Sequence, residues 1–177
     1  PGFHLYIFAF DQKCYETLLA MKLEKVTVIA LHEFEDDALL AIKSSRTKGE
    51  YCWTCTPSTV RYVLDRYSVE SCTYVDSDVF FFSDPTHLIE DMQEKSVSII
   101  EHRYHPDYDQ TKASGKYCVQ FMTFKNNDSG MKVLNWWRDA CIEWCFNRRD
   151  GNRFGDQKYL DDWLMRFKGV VHEINDE

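Results

Sequence analysis

Two short runs, residues 4–10 (His-Leu-Tyr-Ile-Phe-Ala-Phe) and 25–30 (Lys-Val-Thr-Val-Ile-Ala), are almost wholly apolar. A strand wetted on one face alternates apolar and polar residues, so a run without alternation belongs to a strand covered on both faces. Between them Tyr15, Leu18, Leu19 and Lys22 recur at helical spacing, which makes a strand–helix–strand unit. The pattern continues along the chain. A helix is predicted over 36–43 with Leu39, Leu40 and Ile42 inward. Lys48-Gly49-Glu50 reads as a break, after which Thr56-Pro57 reads as an N-cap and first-turn proline for a helix with Val60, Val63, Leu64 and Tyr67 on its stripe. A strand over 72–75, a helix over 84–92 and a strand over 97–100 follow. Residues 102–116 form a polar loop, 117–124 a strand, and 128–147 the longest helix, with Leu134, Trp137, Cys141 and Trp144 on one stripe. A helix over 156–167 and a strand over 169–174 close the chain. The alternation predicts an α/β fold with a mixed, mainly parallel sheet and helices on both faces. Ligands of such sheets lie beyond the carboxyl ends of the strands, so the residues at those ends carry the functional argument.

Composition narrows the classes. With 177 residues, 44% hydrophobic and 15% aromatic, the chain is neither disordered nor short of a core, and it reads as one domain over 1–177. Four prolines and seven glycines leave no evident linker. No apolar run is long enough for a transmembrane helix. The net charge of −8 argues against a phosphate-tracking nucleic-acid binder, so an anionic substrate would need a cation as mediator. Residues 1–10 lack the basic region of a signal peptide. The absence of an initial Met and the ending at Asn175-Asp176-Glu177 read as a fragment truncated at its C-terminus. Seven scattered cysteines suit reduced, buried thiols in a cytoplasmic protein.

Asp76 and Asp78 flank Ser77 at the end of the strand over 72–75. Positions i and i+2 of extended backbone share a face, and two carboxylates there repel unless a cation lies between them. Oxygen ligands at this spacing suit Mg²⁺ or Mn²⁺, which keeps open positions for a diphosphate. The plainer alternative is a pair of solvated turn residues. Gly155-Asp156-Gln157 is a second signal, for which a loop end and helix N-cap is the plainer reading. Asp11, ending the first strand, is either a nucleoside contact or another N-cap.

Together these pieces resemble nucleotide-diphospho-sugar glycosyltransferases of the GT-A fold, a Rossmann-like architecture, and most closely the retaining family-8 type to which glycogenin and bacterial lipopolysaccharide galactosyltransferases belong. Residues 6–11 resemble the first strand, whose end holds the nucleobase; residues 73–79 resemble the hydrophobic-Asp-x-Asp motif; residues 155–160 resemble the Asp-Gln-x-x-Leu segment. The resemblance implies Mn²⁺ or Mg²⁺ on Asp76 and Asp78. It implies a nucleotide-diphosphate sugar along Phe8, Ala9, Asp11, Arg61, Asp76, Ser77, Asp78, Cys118 and Gln120, with Asp156 and Gln157 as catalytic residues facing the sugar. Cys118 and Gln120 stand where the family has Asn and Gly, and Arg61 is the nearest match to its cation on the preceding helix. The histidine that completes the family's metal site has no good match, since His172 falls in a strand. The implied reaction moves a sugar to a glycan or lipid-linked acceptor with retention, in the cytoplasm or at the inner face of a membrane by peripheral contact. Residues 102–105 (His-Arg-Tyr-His) are the candidate acceptor side.

Other readings of the same residues exist. A haloacid-dehalogenase-type phosphatase would use Asp76 and Asp78 as nucleophile and acid, but needs a buried strand directly before Gly155. A catalytically inactive nucleotide-sugar-binding domain is allowed by Cys118 and Gln120. Cys52, Cys55, Cys141 and Cys145 together would make a structural zinc site, against the blander reading of buried thiols. Trp136, Trp137 and Trp144 are core at helical spacing rather than a sugar platform.

Overall fold

The computed structural model describes residues 2–175. Strand β1 (Leu5–Ala9) leads into helix α1 (Gln12–Ala20) and returns as β2 (Val26–Ala30), which lies parallel to β1 in the register Leu5 opposite Val26 through Ala9 opposite Ala30. This is the crossover unit expected from the two apolar runs. Helix α1 buries none of its residues, however, and Leu19 is half exposed, so the Tyr15–Leu18–Leu19 stripe covers the sheet only loosely. Two short helices follow, α2 (Leu31–Phe34) and α3 (Asp37–Lys43). Leu39 is fully buried, whereas Leu40 points out: a seven-residue helix has only one narrow inner face.

Helix α4 (Lys48–Tyr67) overturns one expectation. Lys48-Gly49-Glu50 is its first turn rather than a break, and Pro57 lies inside it rather than at its start. Thr47 and Glu50 form a reciprocal capping box, with Glu50 Oε2 2.8 Å from the Thr47 amide and Thr47 Oγ1 3.3 Å from the Glu50 amide. That cap nucleates the helix one residue after Thr47, and the helix continues past the proline, whose missing N–H removes a single backbone bond.

Strand β3 (Ser71–Val75), helix α5 (Thr86–Glu90), strand β4 (Val97–Glu101) and helix α6 (Thr111–Ser114) come next. Helix α5 is shorter than the 84–92 expected. Then β5 (Tyr117–Cys118) and β6 (Phe121–Lys125) divide what reads as one strand, with Val119 and Gln120 making the bend between them. Helix α7 (Asp128–Glu143) ends short of Asn147, while Leu134, Trp137, Cys141 and Trp144 are buried as expected. Residues 156–167 are not one helix: Gln157–Asp162 is a 3-10 turn, followed by α8 (Trp163–Arg166) and β7 (Val171–Ile174).

The sheet is mixed. β4 is its hub, pairing antiparallel with β5 and β6 and parallel with β7, and β6 carries β3 antiparallel on its other edge. Two cores result. The larger packs Val60 and Leu64 of α4 and the Leu134–Trp137–Cys141 stripe of α7 over Val97, Ile99, Met122 and Phe124, sealed by Trp163. The smaller gathers Ile29, Phe34, Leu39, Tyr51 and Cys55 beside the β1–β2 pair. Helix α4 contributes to both.

The cysteines do not assemble. Cys14 and Cys52 are exposed, Cys72 is half buried, and Cys55, Cys118, Cys141 and Cys145 are buried free thiols. Among the described residues no group of three or more His, Cys, Asp or Glu side chains could hold a metal ion, so the four-thiol zinc site is not formed. The cause is separation: Cys141 and Cys145 lie in the larger core and Cys55 in the smaller.

Candidate active site

The carboxyl end of β3 meets the bend between β5 and β6. The Asp76 amide donates to the Gln120 carbonyl at 3.1 Å, which extends the β3–β6 ladder, one residue past Val75 opposite Phe121. Asp76 therefore leaves the sheet at its rim beside Gln120. Tyr74, two residues earlier and on the same strand face, donates its hydroxyl to Asp76 Oδ1 at 2.7 Å. Asp76 is half buried and Asp78 is exposed. Burial pushes the Asp76 carboxyl up, the Tyr74 hydroxyl pulls it down, and the negative charge of Asp78 pushes it up again. The extended backbone expected across the pair is not found: the strand ends at Val75, and a turn closed by the Val79 amide donating to Asp76 O at 3.3 Å carries Asp78 away from the sheet.

Asp156 reaches the same place from the far side of the sequence. Asp156 occupies the N-cap position of the turn that follows it, but its side chain makes no capping hydrogen bond. The residue is only 6% exposed. Burial pushes its pKa up to about 7, against hydrogen bonds from its own backbone, Thr56 and the Gln157 backbone and with a further push from the charge of Asp76. Thr56, buried on α4, donates its hydroxyl to Cys52 O at 3.4 Å and belongs to the electrostatic surroundings of both Tyr74 and Asp156. The loop before Asp156 holds it there. Gly155 N donates to Phe146 O at 3.1 Å, and Gly155 has φ +52° with the Trp53 ring 3.5 Å from where a Cβ would sit. A left-handed turn against a tryptophan face is a conformation that glycine adopts at little cost. The Trp137 indole N–H then fixes the Asp156 carbonyl at 2.9 Å.

Cys118 is buried, and its thiol is held up by burial, a backbone hydrogen bond from Gln120 pulling the other way, and by the charges of Asp76 and Asp156. Asp76 therefore shares its electrostatic surroundings with Asp78 on one side and with Asp156 and Cys118 on the other. Among the described residues no lysine or arginine forms an ion pair with any of the three carboxylates. Uncompensated negative charge at a rim is the setting that a divalent cation relieves. With only two carboxylates side by side, the donor set suits a hard ion that keeps most of its shell for water and phosphate oxygens. Asp76 and Asp78 fit such a group.

Gln157 is tied down. Its amide nitrogen donates to Ser114 O at 3.0 Å and to the Tyr104 hydroxyl at 3.4 Å, which leaves the amide oxygen as its open end. Tyr104 stacks on His102 with ring centroids 3.8 Å apart and planes 8° from parallel. The loop over 102–116 is thereby fastened to the Asp156–Gln157 segment. Asp161 adds a second tie by accepting from the Lys116 amide at 2.8 Å.

The other sequence candidates separate into two groups. Asp11 is an N-cap, its Oδ1 accepting from Cys14 N at 2.8 Å, and it also lines a cavity of about 250 Å³ at the carboxyl ends of β1 and β2 together with Ala9, Tyr15 and His32. Phe8 packs edge-on against Phe34 and Tyr62, inside the smaller core rather than in the cavity. Arg61 pairs with Asp65 one turn along α4 at 3.2 Å and lines neither this cavity nor the next. Asp78 and Gln120 line a second cavity of about 440 Å³ beyond the end of β3. Ser77 is an exposed link between the two carboxylates. His172 is in β7, opposite Ser98 of β4. No strand precedes Gly155; Asp150 and Arg153 form an isolated bridge there, so the element required by the phosphatase reading is missing. Sequence reasoning missed Tyr74 and the site role of Thr56. Tyr74 was findable, because residues two apart on a strand share a face; Thr56 was misread as a helix cap.

No family model matches the chain. Two curated relatives from Bacillus subtilis (strain 168) are similar to it: the uncharacterized protein YfnD, 38% identical over 175 residues, and the uncharacterized protein YfnF, 31% identical over 174. These alignments cover 95% and 94% of this chain but 55% and 57% of the relatives, so the chain spans about half the length of the curated relatives it matches. In shape the chain is similar to the crystal structure of the glycosyltransferase GlyE from Streptococcus pneumoniae TIGR4, with a TM-score of 0.53 and 16% identity over 98% of this chain and 38% of that one. The α/β fold with a mixed sheet is thus shared with a glycosyltransferase.

Proposed function

We propose that this chain is the catalytic core of a metal-dependent glycosyltransferase that takes its sugar from a nucleotide-diphosphate donor. The observation that carries this reading is the place of Asp76 and Asp78 just beyond the carboxyl end of β3, where among the described residues neither is paired with a lysine or arginine. Asp76 and Asp78 would hold Mn²⁺ or Mg²⁺, which when bound supplies positive charge for the departing diphosphate. The cavity at Asp11 and Ala9 takes the nucleoside, with Tyr15 and His32 as hydrogen-bonding and aromatic walls. Asp156 and the Gln157 amide oxygen face the sugar, and Gln120 flanks it.

In the reaction, the acceptor hydroxyl oxygen bonds to the anomeric carbon as the bond from that carbon to the diphosphate oxygen breaks. The electron pair leaves with the diphosphate, and the hydroxyl proton passes to a leaving phosphate oxygen. Gln157 is held by its nitrogen and is a weak nucleophile, so its role is to orient the sugar. Attack on the face that the leaving group vacates gives retention without a covalent intermediate on the protein.

The test is a thermal-shift screen of nucleoside diphosphates with and without Mn²⁺, repeated with Asp78→Ala. Stabilisation by one base only, present with the ion and lost in the variant, is expected; at a hundred times Kd it corresponds to about 2.7 kcal/mol. Stabilisation that persists without the ion or in the variant would remove the role given to Asp78.

A further inference from the structure

The cavity beyond β3 differs from the nucleoside cavity in chemistry. Asp78 and Gln120 apart, every side chain that lines it is apolar: Val79, Phe80, Phe81, Leu88, Ile100 and Phe121. Phe121 is 5% exposed and forms the floor with Ile100, whereas Phe80 is 76% exposed and stands at the rim. Phe80 meets Phe82 edge-on at 5.1 Å, and Phe82 is 96% exposed. Phe81 meets Phe121 at 6.1 Å. Three consecutive phenylalanines directed largely to water, two residues from the candidate metal carboxylate, mark a binding surface rather than a folding element.

We propose that this cavity is the acceptor subsite and that it takes an amphiphilic acceptor: a hydroxyl-bearing head held at Asp78 and Gln120 and an alkyl chain laid along Phe81, Leu88 and Phe121 toward Phe80. This rests on the transferase reading above, since Asp78 and Gln120 are placed there beside the donor. The wall chemistry selects the occupant. A glycan would bring hydroxyls along its whole length and find two polar side chains to pair them, at a desolvation penalty for each unpaired group. An alkyl chain loses nothing there and gains by burial. The volume of about 440 Å³ exceeds what one sugar ring fills, which leaves room for several methylenes.

The probes are methyl, hexyl and octyl β-glucosides below their micellar concentrations, titrated calorimetrically into the protein without nucleotide or metal. A chain buried in the cavity tightens binding about fourfold per methylene, from roughly 0.8 kcal/mol for each CH₂. In Phe80→Ser/Phe81→Ser, which makes polar two cavity walls that are 76% and 43% exposed, that dependence on chain length is expected to flatten. Phe81→Leu serves as a second variant that keeps the wall apolar and should preserve most of it. Affinity independent of chain length overturns the proposal. So does a chain-length dependence unchanged in the double serine variant, or a concentration-dependent dimer abolished by the same variant. Because the titration needs neither ion nor nucleotide, its outcome is separable from the Mn²⁺ thermal shift: either can fail alone.

Discussion

Asp156 shows how one position acquires its chemistry from its surroundings. In sequence it is an aspartate after a glycine; folded, it is a carboxyl 6% exposed that feels the charge of Asp76. Its pKa is pushed up to about 7, above the roughly 3.9 of an unfolded aspartate. Between those values the folded state binds more protons than the unfolded one, so this group's contribution to stability falls as pH rises from about 4 to about 7 and is flat above. Asp156→Asn keeps the shape and removes the charge. It is expected to raise the unfolding midpoint at pH 8, by an amount of order 2–4 kcal/mol in stability, and to matter little at pH 4. Urea titrations at the two pH values check this; an equal effect at both would mean that the carboxyl is not titrating. Gln157, next in the chain, is fixed by the Ser114 carbonyl and Tyr104, so its orientation depends on a loop forty residues earlier.

Helix α7 and its entry show the same dependence one level up. Asn127 caps the helix through its side chain, accepting from Gly130 N at 2.9 Å. Gly130 sits so close to the end of β6 that a Cβ would lie 2.2 Å from Lys125 O and 3.3 Å from Ser96 O. The glycine therefore lets the helix start against the sheet, and the register of Leu134, Trp137 and Cys141 follows from that start. Gly130→Ala forces the helix away from β6 and is expected to cost about 2–4 kcal/mol despite the better helix propensity of alanine. A lowered denaturant midpoint with unchanged slope supports this, and a neutral or stabilising effect would contradict it. Helix α4 is the complementary case. Its capping box at Thr47 and Glu50 and its interior Pro57 place Thr56 in the electrostatic surroundings of Tyr74 and Asp156.

The two cores are joined by a buried cation. Arg138 of α7 donates to Ser58 Oγ of α4 at 3.0 Å and pairs with Asp36, whose other oxygen caps α3 by accepting from Leu39 N at 3.1 Å. One guanidinium thus ties three helices across the boundary between the β1–β2 unit, with its cavity of about 250 Å³, and the sheet whose strand β3 leads into Asp76 and Asp78. Arg138→Met keeps the aliphatic stem and the α3 cap but leaves Ser58 and one Asp36 oxygen without this donor. A loss of about 1–3 kcal/mol is expected. Its distinguishing mark is a broadened thermal transition as the two cores lose coupling; a sharp transition at the wild-type midpoint would show that the link contributes nothing.

The amino-acid sequence by itself determined the α/β class, the β1–α1–β2 unit and the stripe of α7. Those are local properties, written in unbroken apolar runs and period-3.6 patterns that neighbours in the chain enforce. It misjudged where α4 begins, because a Thr-x-x-Glu cap and a Thr-Pro pair are both legitimate starts and only packing against two cores selects the first. It also read residues 117–124 as one strand, since nothing local announces the bend at Val119 and Gln120 that brings Gln120 beside Asp76. Tertiary structure alone decided that Asp76, Thr56 and Cys118 enter the electrostatic surroundings of Asp156. Their separation along the chain leaves no periodic trace, and the burial that pushes Asp156 toward neutrality exists only once the sheet, α4 and the Gly155 turn have closed around it.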